Sequence, residues 1–535
     1  MSNASPSRRY VCATRSGIGN LSALRSHEFR SVCDAIRARF TLYTLLLAAL
    51  APRAEAAVSV WTGASSTDWA TAGNWSGVLP GANDDVLIDG GAKHPLLNLT
   101  NGTVTIKSLT IGPTTASTLT FHYGNVTDKR LIVTGSATIG TNGILNHTAN
   151  GNTETHRLFL DVGGNLTIDL GGAISVNGLG YAAGQGTGTG DGASHGGQGG
   201  GLQSTYGSLT NPVSCGSGSS GIGGSGGGAV LLTIGGTLTA NGVIEANGIV
   251  GSYNGAHGGS GGSINIVAAG LSGNGTLSAG GANGYKNGAG GGGGRIAIML
   301  RGDDDTAFSS FLANNRIAAK GGSLGDWVWD QQSGAAGTVY LKSTSATYGR
   351  LIVNNSNIAT TARTLINSLV TDKTVGDVQL VNAGYLVVDP GQTLAVNGSW
   401  SNAVATNAIS GGTVVLAGSS PATIWGGNTW SNLTITTAGK LVQFQTNVIQ
   451  YVYGTPAWSN NVQLLPIQYG YVDGTYWKLY QPSWGATQDV GVVTVRWSDA
   501  LVNTGATFRA AIGASVSNSR NWTGVIPKGT VVWMR

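Results

Sequence analysis

Charge is scarce in this 535-residue chain: Asp, Glu, Lys and Arg make up only 10% of it. The 24 acidic residues are thinly spread, which works against the grouped carboxylates that glycosidases, lyases and calcium cages use. Cysteine is nearly absent, with Cys12, Cys33 and Cys215 alone. The first two fall in a leader and the third stands by itself in a glycine-rich stretch, so the mature chain has no intramolecular disulfide and no Cys-based metal site. Histidine is sparse too, seven in all: beyond the leader His94, His122, His147, His156, His195 and His257 form no H-x-x-x-H pair. No G-x-S-x-G elbow or phosphate loop opens a helix. No apolar run reaches the ~20 residues that a membrane helix needs.

The longest such run, Phe40 to Ala51, has a different meaning. It follows Arg37 and Arg39 and precedes Ala54-Glu55-Ala56, the pattern of a secretory signal with an A-x-A cleavage site and an extended n-region over 1–56. Removing those residues takes away eight basic and three acidic side chains and leaves 21 of each. The mature chain is formally neutral, so the basic pI gives no case for nucleic-acid binding. Cys215 reads as an inert thiol.

What the chain has in excess is glycine, 88 residues without a Gly-X-Y period, which excludes collagen. The 41% of hydrophobic residues fall in short, evenly spaced runs. One pattern recurs four times: an apolar run, a small polar bend, a second short run ending in glycine, and a glycine-saturated loop. The opening runs are Leu158-Phe159-Leu160, Val230-Leu231-Leu232, Ile264-Asn265-Ile266 and Ile296-Ala297-Ile298, with Val339-Tyr340-Leu341 beginning a fifth. The closing runs start at Ile174, Ile244, Leu277 and Ile317, and Tyr181, Tyr253, Tyr285 and Trp327 follow them. Ile244 and Leu277 are 33 residues apart, and Val230 and Ile264 are 34. Self-similarity at about 20–50 residues marks a solenoid, whose repeats bury their apolar faces only by stacking. Period-2 runs with no helical stretch make it a β-solenoid. The expected fold is all-β, a right-handed parallel β-helix, with the glycine segments as long lateral loops in preference to packed polyglycine strands.

The mature chain begins Trp61-Thr62-Gly63, then Trp69, Asn74-Trp75, Gly77, Pro80 and Asp84-Asp85-Val86-Leu87-Ile88. This resembles the opening of many bacterial exported surface proteins of the adhesin or autotransporter-passenger type. The resemblance implies a cap on a β-helix, and three tryptophans in fifteen residues suit an apolar lid over the first coil. A second resemblance covers about 390–446, where Gly398-Ser399-Trp400-Ser401-Asn402, Gly412-Thr413-Val414-Val415 and Trp430-Ser431-Asn432-Leu433-Thr434-Ile435 are similar to a repeat of bacterial surface proteins. The last ninety residues resemble the coil that follows that repeat, although Arg496 and Trp497 stand where small or polar residues are usual. The organisation expected is a signal at 1–56, a cap with first coils at 57–156, glycine-rich coils at 157–342, continuing solenoid at 343–446, and C-terminal β coils or a small β domain at 447–535.

Few residues stand out chemically. Asp303, Asp304 and Asp305 form the one acidic triple, a weak calcium candidate without the ligand spacing of a defined calcium loop, and a solvated loop is the favoured reading. Arg301-Gly302-Asp303 matches a tripeptide read by adhesion receptors, a match that also arises by chance. Asp326 and Asp330 flank Trp327 and Trp329, and carboxylates beside aromatic faces suit sugar binding. Tyr253 and Tyr285 are the other aromatic candidates. The expected function is a secreted or cell-surface structural or adhesive protein. The rivals are a carbohydrate-active β-helix enzyme, with Asp326, Asp330 and the 303–305 acids as first candidates, and a non-catalytic polysaccharide-binding protein. Extracellular polysaccharide and other surface proteins are the expected partners.

Overall fold

The computed structural model describes residues 58–535 except 125–127, 327–330, 405–410, 455, 468–475, 481–487, 491, 497, 502–507, 511–514, 518, 521 and 525–535. The leader read at 1–56 therefore lies outside the described residues. The fold is nearly all β, built from strands of two to six residues. Among the described residues the helical elements are short: the turn Ala72–Asn74, the turn Asp305–Phe308 and the helix Ser309–Ala313. Among the described residues no helix is long and apolar enough to cross a membrane.

Successive strands visit three sheets in rotation. Asp85–Ile88 leads to Leu96–Asn98 and Val104–Ile106, and Ser108–Ile111 then returns to pair with Asp85–Ile88 in parallel. The cycle builds two seven-stranded sheets and one of fifteen strands running from Val104–Ile106 to Ser515–Ser517. Period-2 alternation decides which side chains fill the centre. Ile88, Ile111, Ile139, Ile168 and Ala240 follow one another in register and are all buried. One residue earlier along each strand, the outer column reads Thr110, Thr138, Thr167, Thr239 and Ser272, where hydroxyl residues suit a half-exposed ladder. The sequence repeats coincide with this register: Leu158 pairs with Val230, Val230 with Ile264, Ile264 with Ile296 and Ile296 with Val339.

At the first coil Trp61, Trp69 and Trp75 are buried against one another, with ring centroids 5.0 and 4.7 Å apart. Trp61 Nε1 donates to the Lys93 carbonyl and Trp75 Nε1 to that of Trp69. The three rings are interior, so none offers a free face to a sugar.

The glycine segments overturn one expectation. They are not lateral loops but a packed, hydrogen-bonded lattice of extended backbone, with Gly258 to Gly262 and Gly290 to Gly294 buried throughout. Gly261 N–H donates to Gly292 O, Gly292 to Ala193 O, Gly293 to Ala335 O and Gly294 to Ala279 O, at 2.7–3.0 Å. The cause is the missing Cβ: one placed at Gly262 would lie 1.9 Å from Gly228 O, and one at Gly294 would lie 2.1 Å from Gly262 O. Strands approach that closely only where neither carries a side chain.

A second difference concerns the core. One antiparallel pairing interrupts the otherwise parallel ladder of described strands, where Thr338–Lys342 meets Arg350–Asn354 with Val339 opposite Ile352 and Tyr340 opposite Leu351. Residues directly opposite share a face of the sheet. Val339, Leu341 and Ile352 belong to the core of the preceding coils, whereas Tyr340, Leu351 and Val353 belong to that of the coils that follow. The sheet is continuous, but its buried face changes sides at this hairpin. The second core then rises through Leu351, Val378 and Trp400, and buried Trp430 and Trp477 extend it.

The long segment between Gly184 and Gly228 closes the near end of the second core. Gly207–Ser208 pairs in parallel with Val370–Thr371, Leu209 enters the second cluster, and Gln198 N–H donates to the Arg363 carbonyl. Thr205 Oγ1 donates to the Leu365 carbonyl, and Asn367 Nδ2 donates to that of Thr205. The sequence shows this strap only as a low-complexity loop.

Buried Lys440 secures a turn farther along: its Nζ donates to the carbonyls of Ala417, Gly418 and Ser420 at 2.8, 3.1 and 2.8 Å. Lys440→Met fills similar space and leaves those acceptors without their cation. It is expected to lower unfolding stability by about 3 kcal/mol in guanidinium titration, since unmet buried acceptors cost ~1–3 kcal/mol each and part of the loss is recovered by relaxation. A change within 0.5 kcal/mol (the ordinary surface range) would show the turn to be self-supporting.

Candidate functional site

The change of face leaves a polar groove of about 660 Å³ beside the hairpin. Its lining comes from the hairpin turn between Ser343 and Arg350, from the turns at Gly376-Asp377, Asn397 to Ser399 and Gly418 to Pro421, and from Asp305 of the preceding coils. Because Leu351, Val378, Trp400 and Ile424 are in register, the residues just before them, Arg350, Asp377, Ser399 and Thr423, form a row at the near ends of four successive strands. Three strand intervals of ~4.8 Å make that row about 14 Å long.

The charged groups are fixed by named bonds. Arg350 Nη2 pairs with Asp305 at 3.0 Å, while Arg350 Nε is buried without a hydrogen-bond partner. Asp377 Oδ1 accepts from Ser399 N–H at 2.7 Å, and Leu351 N–H donates to the Asp377 carbonyl. Ser399 Oγ accepts from Thr423 N–H at 3.0 Å. Tyr348, 41% exposed, lines the groove, and Asn397 donates to the Val375 carbonyl. The groove thus sets carboxylate, guanidinium, carboxamide and hydroxyl groups beside one exposed aromatic ring.

The sequence candidates are dispersed. Of the acidic triple, only Asp305 reaches the groove. Asp303 Oδ2 accepts from Leu271 N–H at 3.0 Å. Asp304 caps the turn Asp305–Phe308 by accepting from Thr306 N–H and Oγ1, bonds that hold its carboxyl below the usual carboxylate range. Each carboxylate has its own partner, and among the described residues no group of three or more His, Cys, Asp or Glu is placed to share a metal. Asp326 is exposed, and Trp327, Trp329 and Asp330 lie outside the described residues. Tyr253 and Tyr285 stand on adjacent outer turns of the glycine lattice, 69% and 41% exposed, where Gly255 N–H donates to the Tyr285 carbonyl and Lys286 Nζ lies 5.5 Å from the Tyr285 ring. They do not line the groove.

Arg350, Asp377 and Tyr348 escaped sequence reasoning because their proximity depends on coil register across intervals of unequal length. The available signal was a glycine before each strand, in Gly349-Arg350, Gly376-Asp377 and Gly398-Ser399.

Two further clusters are internal. Cys215 is buried, its backbone N–H donates to Glu154 Oε1 at 2.8 Å, and burial pushes the thiol well above its usual range, which accords with an inert residue. Glu154 also pairs with Arg157 at 2.9 Å. Beneath the strap, fully buried Arg295 donates from Nε to the Tyr206 carbonyl at 2.7 Å and from Nη1 to Thr338 Oγ1 at 3.0 Å. Burial brings that guanidinium down to about 9, which leaves it charged at neutral pH. The His195 ring lies 4.5 Å from that of Tyr206, tilted by 36°, and bonds through Nδ1 to the Gly261 carbonyl.

No family model, no curated protein and no solved structure matches the chain.

Proposed function

We propose that this chain is an exported bacterial β-solenoid that acts outside the cell as a structural or adhesive scaffold. Its coils are taken as right-handed, because parallel strand-crossover-strand connections are right-handed in about 98% of cases. The observation that carries the reading is the fifteen-stranded sheet flanked by two filled cores and braced by the glycine lattice. That is the architecture of a long stiff body. Export is supported by the signal pattern before Ala57 and by the resemblance of the Trp61–Ile88 stretch to surface-protein openings. The separate partners of Asp303, Asp304 and Asp305 weigh against a carbohydrate-active enzyme built on them.

The full-length gene, expressed in a Gram-negative host, is expected to give a chain beginning at Ala57 in the extracellular or surface fraction, read by N-terminal sequencing. A cytoplasmic product that keeps residues 1–56 would sink the proposal. The polar groove favours a second reading that is compatible with the first, non-catalytic binding of polysaccharide. Prolonged incubation with polysaccharides should then release no new reducing or unsaturated ends.

A further inference from the structure

We infer that the groove beside the 343–350 hairpin is a binding site for a neutral oligosaccharide, held by Tyr348, Asp377 and the Asp305–Arg350 pair. The inference deepens the second reading above and rests on it.

Three observations converge. The first is shape: the near ends of four strands in register give a straight row about 14 Å long, open to solvent and suited to an extended chain more than to a compact metabolite. The second is chemistry. A sugar offers vicinal hydroxyls that donate and accept together, and the groove lining supplies both acceptors and donors: Asp305, Arg350, Asp377 and Ser399. The Arg350 side chain is 20% exposed and places one of its five N–H donors on Asp305. Tyr348 supplies an exposed ring for the apolar face of a pyranose. The third is charge. The lining carries two carboxylates to one guanidinium, and that guanidinium is already paired with Asp305 at 3.0 Å. A polyuronate would meet a surplus of like charge with its one cation engaged, so the groove selects for uncharged sugars.

The groove was formed by the change of buried face, not by any repeat motif. A uniform stack would present the same edge at every coil, whereas here the Asp305 turn of one set of coils stands beside the strand starts of the next.

The test uses the full chain and four defined probes: cellohexaose, xylohexaose and mannohexaose as neutral sugars, and hexagalacturonate as the anionic one. Calorimetric titration is expected to show binding of at least one neutral hexaose and none of hexagalacturonate. Tyr348→Ala and Asp377→Asn should each weaken that binding about tenfold or more, the loss of a well-placed ring or charged hydrogen bond. Tyr253→Ala, on the glycine lattice, should leave it unchanged. Asparagine at 377 still accepts from Ser399 N–H, so this variant should keep the wild-type circular dichroism and melting temperature and report on binding alone. Preference for hexagalacturonate, affinity indifferent to both groove substitutions, or no neutral hexaose bound at millimolar concentration would each overturn the assignment. Export and binding fail independently. A secreted chain that binds no hexaose overturns the groove and leaves the scaffold standing, and a cytoplasmic chain that binds through Tyr348 does the reverse.

Discussion

Alanine at Gly262 is expected to prevent the glycine lattice from forming, at a cost above the ~3 kcal/mol that ordinary overpacking reaches. The added methyl would sit 1.9 Å from Gly228 O and 2.5 Å from Gly227 O, both backbone atoms that no rotamer change can move aside. Gly262 N–H also donates to the Ala246 carbonyl and its own carbonyl accepts from Arg295 N–H, so any shift loosens three neighbouring segments. Gly255 provides the contrast. It has a φ of +81° and open space around its Cβ position, so alanine there meets only the left-handed backbone penalty of about 1–2 kcal/mol. Guanidinium unfolding of the two variants should therefore differ by several kcal/mol, with Gly262→Ala recovered poorly or in a partly unfolded form. Equal destabilisation would mean that the glycines serve backbone conformation and not close approach.

The same contrast explains what the sequence made legible. Stacking of the aliphatic runs could be read directly, because in-register burial needs only a repeated interval: Val230, Ile264, Ile296 and Val339 are neighbours in the structure as they are in the pattern. The fate of the glycines could not be read from composition, since loose loops and a packed lattice draw on the same residue. Lattice packing is a property of neighbouring segments together. The change of face left a trace that is clear once its cause is known. Phe159, Leu231, Ala297 and Tyr340 are apolar at positions where strict alternation would put a polar outer residue, and unbroken apolar runs mean burial on both faces. The strap segment lies over Phe159 and Leu231 through Val213 and Cys215, and Leu209 packs with Ala297 and Tyr340 in the second core. The groove was the least legible part. Arg350, Asp377 and Ser399 are 27 and 22 residues apart, and only the final register makes them a row.

Acid is expected to unfold this protein from pH values well above those at which most carboxylates titrate; the fully buried His147 and His195 lead this loss, and burial also holds His156 and His122 below 6.5. His147 bonds through Nδ1 to the Thr148 carbonyl and accepts at Nε2 from Ala229 N–H, an arrangement only the neutral ring can make; burial lowers its pKa from 6.5 to about 4. His195 bonds through Nδ1 to the Gly261 carbonyl, its Nε2 is buried without a partner, and the Arg295 guanidinium adds to desolvation in lowering its pKa from 6.5 to about 3. Both shifts are downward, so the unfolded chain takes up these protons first as pH falls. The stability they contribute is complete above pH 6.5 and is lost progressively towards the folded values of about 4 and 3. By pH 4 each accounts for a loss of about 3 kcal/mol, a large share of a typical folding free energy. Asp85, Asp89 and Asp304 are themselves held below 3.8, so they add their losses only at stronger acidity. Asparagine at 195 can keep the donor to Gly261 and does not titrate. His195→Asn should therefore lower the slope of unfolding free energy between pH 6.5 and 4, measured in denaturant, by its own share of about 3 kcal/mol while leaving the contributions of His147, His156 and His122 in place. An unchanged slope would mean that His195 reaches solvent and protonates freely beneath the strap, and the closed packing of Tyr206, Gly207 and Arg295 around it would then be wrong.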